Sequence, residues 1–247
     1  MPDASAPLPD WLAPVPARLG EMRGEDVSAF LPPEDDPETR EGAVLVLLSE
    51  PSEGPSVLLT ERGHRMRSQP GHVSFPGGGM ELGETAVEAA LREANEETGL
   101  DPDSVQIVAE MPRIWLPPRN YAVSPVVGYW RDPVPLQVVD PIEVHAIFNE
   151  PISRLVDPAS RFTVHHPLGW KGPGWMIGPD KDVLLWGFTA GIIDALLRFL
   201  GWSQPWDKEV RRPLPDNLID WSRINRDDRD HKPSDEPSDE PSIESER

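Results

Sequence analysis

Apolar positions along this chain fall into short runs separated by glycine, proline and acidic residues. Ala43-Val44-Leu45-Val46-Leu47-Leu48 is apolar without interruption, which predicts a strand covered on both faces. A turn between Pro51 and Pro55 predicts a hairpin partner in Ser56–Arg62. An alanine-rich run after Thr85 predicts a helix, with Gly99 as its stop and Asp101-Pro102-Asp103 as the following turn. Val105–Glu110 and Tyr121–Trp130 read as strands, and residues 140–148 pass from a loop into another. Residues 151–155 suggest a short helix, and Arg161–His165 and 175–177 two more strands. Residues 184–200 form a strongly apolar helix that Asp194 and Arg198 interrupt at i and i+4, which predicts a cover for a sheet face rather than a membrane span.

The ends differ in composition. Residues 1–41 are rich in proline and acid yet carry Trp11, Leu12, Leu19, Met22, Phe30 and Leu31, too many large apolar groups for a free linker. They predict a partly docked arm with a short helix near 17–23. Regular signals fade after Trp206, and from about residue 223 Ser-Asp-Glu-Pro repeats predict disorder, because such a tail cannot bury enough surface to fold. The expected division is an arm over 1–41, one catalytic domain over 42–206 and an extension over 207–247.

Charge and cysteine content narrow the function. A net charge of −20 opposes an electrostatic grip on nucleic acid or anionic membranes and favours cation binding. The absence of cysteine excludes disulfides, thiolate zinc sites and a cysteine nucleophile. No secretion signal is evident at the chain start, so the cytoplasm is the expected location.

Candidate chemistry concentrates in residues 77–100. Glu93, Glu96 and Glu97 stand at i, i+3 and i+4, on one helix face at about 3.6 residues per turn. At an effective dielectric of about 20, each close like-charged pair repels by about 3 kcal/mol. The helix dipole also disfavours acid in the last turns. A solvated acidic face is one account of them; a hard divalent cation is the other, with the glycines offering backbone oxygens nearby.

The spacing Gly78-x5-Glu84-x7-Arg92-Glu93-Ala94-x-Glu96-Glu97-x-Gly99-Leu100 resembles the Nudix box, the hallmark of hydrolases that cut a diphosphate linked to another moiety. The resemblance implies an α/β/α sandwich with a mixed β-sheet. It also implies Mg2+ or Mn2+ on Glu96 and Glu97, with Glu93 as ligand or general base and a Gly78 carbonyl as a further ligand. Glu84 and Arg92 would brace the loop against the helix. Just upstream, Leu58-Leu59-Thr60-x-Arg62-Gly63-x3-Arg67-x3-Gly71-x3-Phe75-Pro76-Gly77-Gly78 is similar to the motif ahead of the box in coenzyme A pyrophosphatases, which usually have serine or alanine where this chain has Gly63.

Arg62, Arg65 and Arg67 are the densest basic cluster in an acidic core, suited to phosphate oxygens. The segment from Trp115 to Tyr121 is similar to another loop of that subfamily, and Arg119 and Tyr121 are its candidate substrate contacts, with Trp115 as an alternative stacking ring. Glu143 matches the kind of position outside the box that supplies an additional ligand or base in some Nudix enzymes. His145, His165 and His166 show no helical zinc spacing and are read as structural. The expected activity is metal-dependent cleavage of coenzyme A or acyl-CoA to 3′,5′-ADP and 4′-phosphopantetheine or its acyl form. The alternatives are a hydrolase of ADP-ribose, NADH or a nucleoside triphosphate, and a non-catalytic nucleotide-binding module. The expected partner is a small nucleotide, with a homodimer left open.

Overall fold

The first strand, β1 (Arg40–Ser49), sets the layering of the molecule. Its Ala43, Leu45 and Leu47 pack with Leu58, Val126, Trp130 and the helical Ala89, Ala90 and Ala94. The alternate residues Val46 and Leu48 join Val57, Leu59, Val127, Tyr129 and the helical Ile192, Ile193 and Leu196 on the other side. Side chains alternate along a strand, so a continuous apolar run must be covered twice. The computed structural model describes residues 6–28, 30–33, 36, 38–116 and 120–219.

Two short helices, α1 (Val15–Leu19) and α2 (Gly24–Val27), precede β1. Then come β2 (Ser56–Arg62), β3 (Val73–Ser74), β4 (Gly77–Gly79) and the helix α3 (Ala86–Thr98). The chain continues through β5 (Val105–Glu110), β6 (Ile114–Leu116), β7 (Tyr121–Trp130), β8 (Val144–Pro151) and α4 (Ile152–Val156). It closes with β9 (Arg161–His165), β10 (Lys171–Ile177), β11 (Val183–Leu185), α5 (Gly187–Phe199) and β12 (Arg211–Pro213).

The main sheet runs β3-β2-β1-β7-β5, with β4 on β1, β6 on β7 and β8 on β2. β1 and β7 are parallel and the other pairs in this sheet antiparallel, so the sheet is mixed. With α3 on one face and α1 and α5 on the other, the architecture is the α/β/α sandwich that the sequence predicts. One edge of β1 is shared: β2 takes its C-terminal end at Leu48 and Ser49, and β4 takes Gly42 to Val44. The glycine strand and the end of β2 therefore frame one end of the sheet, under α3. Ala89, Ala90 and Ala94 are fully buried, and their small size lets α3 lie close enough for its acidic residues to reach that corner.

A second sheet runs β11-β10-β9-β12. Arg161 fastens it to α5, pairing with Asp194 while its guanidinium stacks 4.9 Å from Trp175 and 4.7 Å from Trp206. The chain beyond 206 adds β12 and buries Leu214, Leu218 and Ile219 against Phe162 and Val164. The N-terminal segment buries Leu12, Val15, Leu19 and Met22, and Trp11 packs on Tyr129 and Trp202. The tail expected to be disordered from about 223 lies outside the described residues.

Gly77 to Gly79 form a strand rather than a loop, because glycine allows the close approach: a Cβ on Gly77 would meet the Ala43 oxygen at 2.3 Å. The apolar run 184–200 is not one helix, since Val183–Leu185 pairs with β10 and the helix starts at Gly187. A run without a period is compatible with a buried strand or a buried helix, and here it is one after the other. The first short helix occupies Val15–Leu19, where Pro14 and Pro16 suit a first turn, rather than 17–23. Among the described residues, no helix is long and apolar enough to cross a membrane.

Candidate metal and substrate site

α3 is fixed at both ends. The Glu88 amide donates to Thr85 Oγ1 at 3.2 Å and the Thr85 amide donates to Glu88 Oε2 at 2.8 Å, a capping box. At the other end Gly99 takes φ 70°, the left-handed conformation that glycine adopts without strain, and its amide donates to Asn95 O at 2.8 Å. With the alanines turned to the sheet, Glu93 and Glu97 fall on the side facing β4.

Glu97 is only 7% exposed, and the Gly77 amide donates to its Oε2 at 3.3 Å. Glu93 lies against the backbone of Gly78, where an added Cβ would come within 2.5 Å of its carboxylate atoms. The Gly78 oxygen lies towards Gly42 of β1, so Gly78 meets Glu93 through its bare Cα. Burial raises the Glu97 carboxyl to about 8, with Arg62 opposing the rise and Glu93 and Glu143 adding to it. Burial also raises Glu93, against the pull of Arg92. Glu96 is turned outward, with 56% of its side chain exposed.

Arg92 ties this corner together. Its Nε and Nη2 donate to the two oxygens of Glu84 at 2.8 and 3.0 Å, Nη2 also donates to Gly79 O at 2.9 Å, and Nη1 donates to Glu93 at 2.9 Å and Glu96 at 3.3 Å. The guanidinium thus joins the glycine strand, the turn at Glu84 and the helix. Arg92→Ala is expected to cost about 2 kcal/mol, because it strands a part-buried glutamate and a carbonyl, and to lower activity by loosening Glu93. A melt with a steady-state assay checks this; an unchanged melt and rate would show that the brace is dispensable.

The arginine segment begins at the end of β2. The charge of Arg62 reaches Glu97, and its Nε is buried without a hydrogen-bond partner among the described residues. The following loop folds back through Arg62 N to His72 O at 2.9 Å and Gly71 N to Arg62 O at 3.1 Å, leaving Arg65 and Arg67 exposed. Neither has an ion-pair partner among the described residues. The Gly63 amide donates to Glu143 O at 2.7 Å, and the Glu143 side chain is exposed and electrostatically felt by both Glu93 and Glu97. The Tyr121 hydroxyl lies beside Gly42 and Gly79, with Arg40 5.4 Å from its ring centre. Arg119 lies outside the described residues.

The structure thus gathers Glu93, Glu97, Gly78, Arg62 and Glu143, with Tyr121 nearby, and leaves Glu96, Arg65 and Arg67 at the rim. His166 stacks on Trp186 beside the second sheet, whereas His145 packs against His64 just past the end of β2. No spacing in the sequence links those two histidines.

A model of the NUDIX domain matches residues 39–148. The Nudix hydrolase NudL of Enterobacter sp. (strain 638) is 35% identical over 168 residues, covering 66% of this chain and 83% of that protein. The chain belongs to the Nudix family. Nudix hydrolase 3 of Caenorhabditis elegans is 43% identical over 106 residues, which is 42% of this chain and 44% of that one. Among solved structures, the Nudix hydrolase RenU from M. smegmatis is 16% identical, covering 69% of this chain and 91% of that one, with a TM-score of 0.48. As a Nudix hydrolase, the protein acts on phosphoric anhydride bonds in nucleoside diphosphate derivatives, chemistry that needs a divalent cation.

The donor set fits such an ion. The buried Glu97 and the part-buried Glu93, whose pKa values rise because they are desolvated, are groups that a hard cation would stabilise in the charged form. A cation must displace the Glu97 proton, so Mn2+ affinity is expected to rise by up to about tenfold per pH unit from pH 6 towards 8. In the metal-free chain the native state holds that proton above the unfolded pKa, so stability falls as pH rises from about 4.5 through about 8, by roughly 5 kcal/mol at most. Mn2+ titrations and denaturant melts across this window check both signs. A flat profile in both would contradict the burial of a titrating Glu97.

Proposed function

We propose that this Nudix hydrolase cleaves the diphosphate of coenzyme A or its thioesters, releasing 3′,5′-ADP and 4′-phosphopantetheine or its acyl form. The observation that carries this reading is the position of the 58–78 segment, the one similar to coenzyme A pyrophosphatases. Its Arg62 lies within electrostatic reach of Glu97, and its glycines run beneath Glu93.

In this account Glu93, Glu96 and Glu97 hold Mg2+ or Mn2+, with the Gly78 backbone alongside. The bound ion would supply neutralisation of phosphate charge and acidification of water. Glu93 or Glu143 accepts the proton as a water oxygen attacks phosphorus and the bridging P–O bond breaks. Arg62, Arg65 and Arg67 pair with phosphate oxygens, and Arg119 and Tyr121 contact the rest of the substrate. No side chain is acylated or phosphorylated.

The test is a competition among coenzyme A, ADP-ribose, NADH and nucleoside triphosphates, with products read by mass spectrometry. The expected result is metal-dependent release of 3′,5′-ADP with kcat/KM at least about tenfold above the competitors, a margin of about 1.4 kcal/mol. Preference for another substrate would remove the coenzyme A assignment and leave the family chemistry standing. Binding without any cleavage would favour a nucleotide-binding module.

A further inference from the structure

Glu61 is the penultimate residue of β2, and strand alternation turns it away from the side on which the charge of Arg62 reaches Glu97. It is 7% exposed, and a buried carboxylate needs a partner. His64 supplies one: its Nε2 lies 3.2 Å from Glu61 Oε1. The neighbouring strand β8 changes register at this level. Glu61 opposes Ala146, whereas Arg62 opposes Val144, so His145 is an extra residue with no opposite number. A bulge of this kind re-aims a side chain. The His145 ring stands edge-on to His64, with centres 4.4 Å apart and planes at 76°.

We infer that Glu61, His64 and His145 form a second cation site, separate from the box carboxylates, which takes a borderline divalent ion of the Zn2+ class. One donor atom from each residue lies within 4.8 Å of the other two. In a tetrahedral zinc site with bonds of about 2.0–2.2 Å, neighbouring donors stand about 3.4 Å apart. Small rotations of two exposed imidazoles close that difference. Two imidazoles and a carboxylate with a fourth position open to water is a zinc donor set, whereas Mg2+ prefers oxygen alone.

The backbone beneath is already fixed. Gly63 N donates to Glu143 O at 2.7 Å, Met66 N to Gly63 O at 3.0 Å and Gly71 N to Arg62 O at 3.1 Å. The His64 ring lies against Gly71, where a Cβ would approach its Nδ1 to 3.2 Å. The donors therefore come from three preplaced segments: the end of β2, the loop bearing Arg65 and Arg67, and the start of β8 beside Glu143. An ion there clamps the arginine loop to β8.

The test uses the full chain without a polyhistidine tag, carrying Glu93→Gln and Glu97→Gln so that the box carboxylates do not contribute. Stripped of metal and titrated at pH 7.5, it is expected to bind one equivalent of Co2+ with the intense visible bands of a tetrahedral site, displaced by one equivalent of Zn2+. His64→Ala and His145→Ala, both at exposed positions, should each weaken Zn2+ binding at least tenfold and abolish the rise in melting temperature on adding Zn2+. If the box variant does not fold, the same titration on the wild-type chain under saturating Mg2+ gives the reading. Absence of tetrahedral Co2+ bands, or Zn2+ binding that survives the loss of both histidines, would overturn the assignment.

Discussion

Glu97→Gln is expected to lower kcat for diphosphate cleavage by at least about 10³-fold, roughly 4 kcal/mol of barrier, while the metal-free protein melts no earlier than the wild type. The two outcomes share one cause. Glu97 is buried against Gly77 and its carboxyl titrates at about 8, so at neutral pH the metal-free fold already prefers an uncharged group there. Glutamine keeps the volume and supplies that neutrality, so the fold loses nothing. A divalent cation bound as proposed would lose a charged ligand whose desolvation has been met by the fold. Glu96→Gln, on an exposed side chain, should cost far less, about tenfold. Steady-state rates over a metal titration, paired with melts, separate the effects; a folded Glu97→Gln enzyme with substantial activity would remove Glu97 from the metal site.

Gly63→Ala is expected to destabilise the chain by about 3 kcal/mol, and by displacing Glu143 to reduce activity as well. A Cβ at Gly63 would lie 1.9 Å from the Ile142 oxygen and 2.8 Å from its carbonyl carbon. Both are backbone atoms in a turn that Asp140 holds through its oxygen and side chain, with Ile142, Glu143 and Val144 amides donating at 2.8, 3.1 and 3.0 Å. The turn has closed onto a hydrogen and has no room for a methyl group. This gives Gly63 a steric reason where the similar motif usually has serine or alanine. Gly78→Ala is the informative contrast, because the obstacle 2.5 Å away is the mobile end of Glu93: the fold should survive while activity falls. Thermal melts of the two variants check the ordering. An unchanged melt for Gly63→Ala would show that the turn yields.

Much of the main sheet was legible because β1 and β7 carry apolar residues on both faces, β2 follows a short turn as a hairpin partner, and β5 is short and bounded by turns. The box helix was legible from its alanines, its glycine stop and the fixed spacing of Glu84, Arg92 and the later glutamates, and the structure shows the Glu84–Arg92 brace directly. The spacing of Glu93, Glu96 and Glu97 places them near one another but does not say which face inward. The contact of Ala89, Ala90 and Ala94 with β1 decides that, and it sends Glu96 out. The strand formed by Gly77 to Gly79 was hidden because glycine carries no side-chain pattern to read. The grouping of Glu61, His64 and His145 was hidden because a register change between β2 and β8 creates it, and pairing between distant strands leaves no local signature.

On the proposed reading, the part-buried Glu93 and the buried Glu97 hold the divalent cation on which diphosphate cleavage depends. Equilibrium Mn2+ binding is followed by electron paramagnetic resonance on the wild-type chain and on the folded Glu93→Gln, Glu97→Gln variant, with turnover of coenzyme A measured on the same samples. Bound Mn2+ and turnover in the wild type, with both lost together in the variant, is the expected result. Unaltered Mn2+ binding in the variant, or cleavage by the wild type that survives complete chelation, would contradict it.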